Sequence, residues 1–220
     1  MLRGDPAAPA PSLDDLIAAR SAELTVYQNS AYAEAYRILV ERVRAAELGI
    51  SSSDSLTRAV ASNLFKLMAY KDEYEVARLL TDGSIEEQAA ATFESPRKVL
   101  YHLHPPLLRS FGLRRKLALG PWIKPLLGFT ASLKFLRGTP VDPFGRTAGR
   151  RLERELIAWY RDSIETMLAG LTPQNHQTAL EVARAPETIR GYEAVKEASA
   201  AKMRTRVEVL LKSLSQRAVA

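Results

Sequence analysis

Apolar residues recur every three or four positions through most of this chain, the period of helices with one buried face. Leu16 with Ile17, then Leu24, Tyr27, Ala31, Leu39 and Val43 trace the first stripe, which runs to about Glu47 and stops at Gly49. Ser12, ahead of Leu13-Asp14-Asp15, supplies an N-cap followed by first-turn carboxylates that suit the helix dipole. Asn29-Ser30 offers a break within this stripe. Leu56, Val60, Leu64, Leu67, Tyr70, Tyr74 and Ala77 trace the second. They predict one long helix from Ser55 to Leu80, behind the capping cluster Ser51-Ser52-Ser53-Asp54 and ended by Asp82-Gly83.

The middle third is less regular. The pattern predicts short helices from Ile85 to Glu94 and from Pro96 to about Leu103, after which Pro105-Pro106 forbids continuation. The basic stretch from Arg109 to Gly120 reads as a loop or a small hairpin. Gly120-Pro121-Trp122 reopens a helix that ends at Gly138, with Pro125 in its first turn or kinking it. Asp142-Pro143-Phe144-Gly145 is a turn signal. The strongest stripe follows, from Ala148 to about Leu168, with Thr147 as N-cap and Gly170 as stop. Helices near Pro173 to Arg184 and Ala194 to Leu214 close the chain. No segment alternates as a central sheet would require. The expected fold is all-α, an irregular multi-helix bundle of long amphipathic helices, forming one domain over residues 13–220. Residues 1–12 contain Pro6-Ala7-Ala8-Pro9-Ala10-Pro11, the composition of a stiff linker, and suggest a junction to an upstream domain.

Composition narrows the chemistry. With 220 residues, 46% hydrophobic and 25% charged, the chain matches a folded globule with a sizeable core. It has no cysteine, which excludes thiolate metal ligands, a redox dithiol and a Cys nucleophile. The net charge of +6 suits either an anionic partner or a plain solvated surface. The most apolar stretch, Trp122 to Leu136, is interrupted by Lys124 and Lys134 and falls short of the ~20 residues that a bilayer requires. The N-terminus lacks the apolar core of a secretory signal, so the expected compartment is the cytoplasm, with no membrane partner.

Of the three histidines, His102 and His104 lie two apart and His176 stands alone, without a recognisable metal spacing; they read as helix-end histidines beside prolines. Two other groups are candidate contacts. Lys66, Tyr70, Lys71, Asp72 and Glu73 belong to a stretch dense in charge and aromatic rings, which reads as a solvated face with half-buried tyrosines or as a docking surface for another polypeptide. Arg146, Arg150, Arg151 and Arg154 crowd the start of the Ala148 helix, where the dipole disfavours cations by some tenths of a kcal/mol each. Such an arrangement makes sense beside an anion: an internal carboxylate, an acidic partner or a phosphate. Arg137, just before Gly138, is placed to join it. The run Arg114-Arg115-Lys116 reads as a solvated loop.

Several segments resemble the C-terminal helical region of the indolepyruvate ferredoxin oxidoreductase family, the 2-oxoacid:ferredoxin oxidoreductases that act on aryl pyruvates. The most specific runs from Lys66 to Leu79, Lys-Leu-Met-Ala-Tyr-Lys-Asp-Glu-Tyr-Glu-Val-Ala-Arg-Leu. Leu136-Arg137-Gly138-Thr139 with Asp142 to Thr147, Ile189-Arg190-Gly191-Tyr192 with Val195-Lys196, and Tyr27-Gln28 with Tyr32-Ala33-Glu34 also fit. The pattern departs at His104, where a small residue is expected, and at Gly149, where a Glu is expected. The resemblance implies an accessory or assembly domain, not catalytic alone, with no cofactor of its own. Thiamine diphosphate and the iron–sulfur clusters would lie elsewhere in the complex, the other subunits would be direct partners, and ferredoxin an indirect one. A basic helical module that binds nucleic acid or protein is the alternative. The mixing of Glu with Arg along most helices and the absence of a recognised motif make nucleic acid an unexpected partner.

Overall fold

The first apolar stripe becomes two helices in the computed structural model, which describes residues 11–92, 100–103, 117–191 and 193–217. Helix α1 (Leu13–Tyr27) starts at Ser12, whose hydroxyl accepts the Asp15 N–H at 3.1 Å. Helix α2 (Ser30–Leu48) starts where the Asn29 side chain accepts the Tyr32 N–H at 2.9 Å, so the break at Asn29-Ser30 is an N-cap.

The second stripe does not remain one helix. Helix α3 (Ser55–Met68) stops short, and α4 (Glu73–Leu79) begins after it. Two interactions distant in sequence explain the correction. Tyr32 Oη donates to the Met68 carbonyl at 3.0 Å and Tyr27 Oη to the Tyr70 carbonyl at 2.9 Å, taking acceptors that a continuing helix would use itself. Asp72 then caps α4, accepting the Glu75 N–H at 2.9 Å.

Helix α5 (Ser84–Thr92) follows Gly83, whose φ of +89° is a backbone conformation that side chains with a Cβ rarely adopt. The helix expected from Pro96 to Leu103 ends differently: β1 (Tyr101–Leu103) pairs antiparallel with β2 (Leu117–Leu119), Tyr101 opposite Leu119. Prolines immediately downstream disfavour α geometry there, and a neighbouring strand takes up the backbone groups instead. Of the basic stretch expected as a loop or small hairpin from Arg109 to Gly120, only the end is described, where β2 pairs with a strand that precedes the stretch; residues 93–99 and 104–116 lie outside the described part. A 3-10 turn (Pro121–Ile123) leads into α6 (Lys124–Ser132), with Pro125 in the first turn, and a second 3-10 turn (Leu133–Leu136) follows. The chain closes with α7 (Ala148–Ala169), α8 (His176–Arg184) and α9 (Glu193–Arg217), joined by 3-10 turns at Pro173–Asn175 and Ala185–Thr188. The fold is all-α, the β1–β2 ribbon being the only sheet among the described residues.

Where the sequence pattern suggests a single domain over 13–220, the packing divides into two units: Met1–Tyr70 with Arg151–Ala220, and Lys71–Arg150. The first holds the larger core. Leu24, Tyr36, Val40, Leu56, Leu64, Leu156, Ile164 and Met167 are fully buried there, and each large aliphatic side chain contributes roughly 1.5–3 kcal/mol by leaving water. The second is small, with Ala77, Ile123 and Leu127 at its centre and Leu80, Leu119 and Ala131 around them.

A buried carboxylate organises the first unit. Glu47, at the end of α2 and 1% exposed, accepts the Leu56 N–H (2.9 Å), the Thr57 N–H (2.8 Å) and the Thr57 hydroxyl (2.7 Å). His176 Nε2 meets the same carboxylate at 2.9 Å. Glu47 therefore caps Leu56 and Thr57, while within the expected cluster Ser53 Oγ accepts the Ser55 N–H at 3.1 Å and Asp54 pairs with Arg58 at 2.8 Å. His176, read from sequence as a plain helix-end histidine, is tied to α2 and α3 through it. Glu47→Ala should lower the free energy of urea unfolding by about 2–4 kcal/mol, through lost capping and buried donors left unmatched. A loss below about 0.5 kcal/mol would contradict this role.

Candidate functional site

Three consecutive residues at the start of α4 are the foundation of the site in the Lys71–Arg150 unit. Asp72 holds the N-cap position, and its carboxylate, which accepts the Glu75 N–H, has oxygen lone pairs left for a further partner. Arg137, at the end of the 3-10 turn Leu133–Leu136, reaches it with two nitrogens: Nε donates to Asp72 Oδ2, and Nη2 donates to Oδ1 at 2.9 Å. Both side chains are almost wholly buried, 4% and 6% exposed, so the pair is held in a low-dielectric setting. Glu73, next in sequence, accepts from Arg150 at 3.2 and 3.3 Å.

Tyr74 completes the trio. Its ring lies beneath the Arg137 guanidinium, 5.6 Å from the ring centre, and meets Phe144 edge-on at 5.2 Å. Its hydroxyl donates to Asp142 Oδ1 at 2.9 Å. Burial and the neighbouring Asp142 and Asp72 carboxylates push the phenol well above its ordinary value, so it stays a donor. Asp142 is buried and gathers further donors: Gly138 N–H at 2.9 Å and Phe144 N–H at 3.0 Å, besides the Gly145 N–H. Burial pushes the Asp142 carboxyl up, but these donors outweigh it and hold it below the ordinary 3.8. Gly145 is required here because a Cβ would collide with that carboxylate. Gly138, at φ +74°, carries one of the donors through a turn suited to glycine.

The candidates read from sequence divide accordingly. Asp72, Glu73, Arg137 and Arg150 come together in this network, and the carboxylates meeting Arg137 and Arg150 are internal ones. Arg146 is exposed and donates to the Pro140 carbonyl at 2.9 Å. Lys71 is exposed and precedes α4, and Glu75 pairs with Arg78 at 2.7 Å. Lys66, Tyr70, Arg151 and Arg154 belong to the other unit. Lys66 Nζ donates to the Pro186 carbonyl at 2.8 Å, and burial, with Arg190 and Lys196 nearby, lowers its pKa. Tyr70 is buried edge-on against Tyr27. Arg151 is exposed and Arg154 half-buried, while their neighbour Glu153 takes Lys196 at 2.6 Å.

Sequence reasoning missed Asp142 as a functional side chain, reading it only as a turn former. The signal available was the aspartate of the Asp142-Pro143-Phe144-Gly145 motif itself, which the turn reading absorbed. At Gly149 an added Cβ would meet nothing within 4 Å. His104 and Arg114-Arg115-Lys116 lie outside the described residues. Among the described residues no three His, Asp or Glu side chains gather as a metal would require, and no helix is long and apolar enough to cross a membrane.

The chain belongs to a family of unknown function (DUF6537), whose model matches residues 13–209. No curated protein and no solved structure matches it.

The depressed pKa of Asp142 fixes the sign of an acid effect. Its stabilisation is complete above the unfolded value of 3.8 and is lost as pH falls through the lower folded value. Stability measured by urea unfolding should therefore fall as the pH drops below about 4. Asp142→Asn should be less stable at neutral pH and show a shallower decline in acid. Equal acid slopes for the two proteins would contradict the assignment.

Proposed function

We propose that this member of the family is an accessory, assembly domain of an indolepyruvate-type 2-oxoacid:ferredoxin oxidoreductase. The full complex would decarboxylate aryl 2-oxoacids oxidatively to acyl-CoA thioesters and pass the electrons to ferredoxin in the cytoplasm. This chain would supply an interface and stability, and the catalytic centre would lie in its partners. The observation that carries the reading is the meeting of Asp72 and Tyr74 with Arg137, Asp142 and Phe144, which belong to two of the segments that carry the resemblance. From Asp72 onward they join in one internally paired network of ions and hydrogen bonds.

The chemistry of that network favours a scaffold over a reaction centre. A carboxylate held below its ordinary pKa by several donors is a poor proton acceptor near neutral pH, and a phenol pushed above its ordinary value is a poor acid. Iron–sulfur clusters need thiolate ligands, and this sequence has no cysteine to give them. The proposal therefore assigns the clusters and thiamine diphosphate to other subunits or domains.

Purification of the tagged chain from its native cell tests the reading. Subunits that contain thiamine diphosphate and iron–sulfur clusters should accompany it in fixed ratio. Recovery of a colourless, monomeric chain would overturn it.

A further inference from the structure

Lys66 takes no part in the Asp72–Arg137 network and belongs to the other unit. There it meets another of the segments that carry the resemblance. Its Nζ donates to the Pro186 carbonyl at 2.8 Å, and Arg190 Nε donates to the next carbonyl, that of Glu187, at 3.5 Å. Adjacent carbonyls of the 3-10 turn Ala185–Thr188 thus gather two cations at one place. Lys196, in the first turn of α9, brings a third, answered by Glu153 at 2.6 Å. Neither Lys66 nor Arg190 forms an ion pair with a carboxylate among the described residues.

Most of these surroundings disfavour the ammonium form of Lys66. Partial burial acts most strongly, and Arg190 and Lys196 add to it; Glu187 opposes them without reversing the sign, so the pKa is lowered. Glu187 is itself held by the Asn63 amide at 3.4 Å. A neutral amine can keep one N–H on the Pro186 carbonyl and still present its lone pair. Lys66 is exposed as a residue, although its contact with Pro186 is partly buried, so an electrophile can reach it. The cations that disfavour the ammonium also attract an anionic reagent. Amine reactivity and anion recruitment therefore coincide at this side chain.

We propose that Lys66 is a modification site, acylated by thioesters on an anionic carrier of the acyl-CoA class. The Lys66 nitrogen attacks the thioester carbonyl carbon. An amide bond forms as the C–S bond breaks, and the departing thiolate takes up the amine proton. The product side chain is neutral and no longer repels Arg190 and Lys196. That acyl-CoA is made beside this chain rests on the assembly reading above; the reactivity of Lys66 does not.

Incubation of the purified full chain with acetyl-CoA, followed by peptide mass spectrometry, tests the proposal. Lys66 should be acetylated at least about threefold faster than the exposed Lys71 and Lys202. Arg190→Gln, at an exposed position, should slow the reaction of Lys66 and leave that of Lys71 unchanged. With the uncharged thioester S-acetyl-N-acetylcysteamine the advantage of Lys66 should shrink, because only the amine effect remains. Equal rates at the three lysines would overturn the proposal, as would a Lys66 rate indifferent to Arg190→Gln. An advantage just as large with the uncharged thioester would overturn the preference for an anionic carrier. No oxidoreductase subunit is present in this assay, so its failure leaves the assembly reading standing, and failure of co-purification leaves Lys66 standing.

Discussion

A carboxylate and a guanidinium removed from water each lose several kcal/mol of hydration, and only close mutual contact with further hydrogen bonds restores it. Asp72 and Arg137 are in that position, and the constraint propagates through the Lys71–Arg150 unit. Asp72 must stay where it can meet Arg137, and from there it also takes the Glu75 N–H, which fixes the first turn of α4. Arg137 must stay over Tyr74, which directs the Tyr74 hydroxyl to Asp142. Asp142 then holds the Gly138 and Phe144 amides and so shapes the turn that leads towards α7. One buried ion pair thus sets the start of one helix, the end of another and the loop between α6 and α7.

Such a network suits a body whose task is to keep its shape. Each oxygen of the Asp142 carboxylate has at least one donor, and the Tyr74 hydroxyl proton is committed to it. Reactive groups in enzymes are instead left poised, with a pKa near the working pH and an atom open to substrate. The contrast with α6 is informative. In the network, polar groups face inward and are matched; on α6, Leu126 and Phe129 are exposed.

Much of the helical framework was legible in the sequence because it depends on local rules. The break at Asn29, the cap at Ser12 and the α7 stripe follow from side chains a few residues apart. The end of α3 at Met68 was not legible, because Tyr27 and Tyr32 act on it from 43 and 36 residues away. Nor was the capping by Glu47, a residue of the preceding helix that takes the Leu56 and Thr57 amides beside Ser53, which takes that of Ser55. The strand Tyr101–Leu103 is too short for alternation to reveal. At the site, the arginines announced that they needed anions, because cations at a helix start oppose its dipole. Which anions they meet depends on folding, since Arg137 and Asp72 are separated by 65 positions and Arg150 and Glu73 by 77.

The central claim is that the Asp72–Arg137 contact, and not merely the presence of either residue, maintains the Lys71–Arg150 unit. A double-mutant cycle measures that contact directly, with Asp72→Asn, Arg137→Met and the pair compared by urea unfolding of the whole chain. Asn keeps the capping oxygen of Asp72, so the cycle isolates the ionic link. The account predicts a coupling energy of about 2 kcal/mol or more. Independent effects, with coupling below about 0.5 kcal/mol, would contradict it.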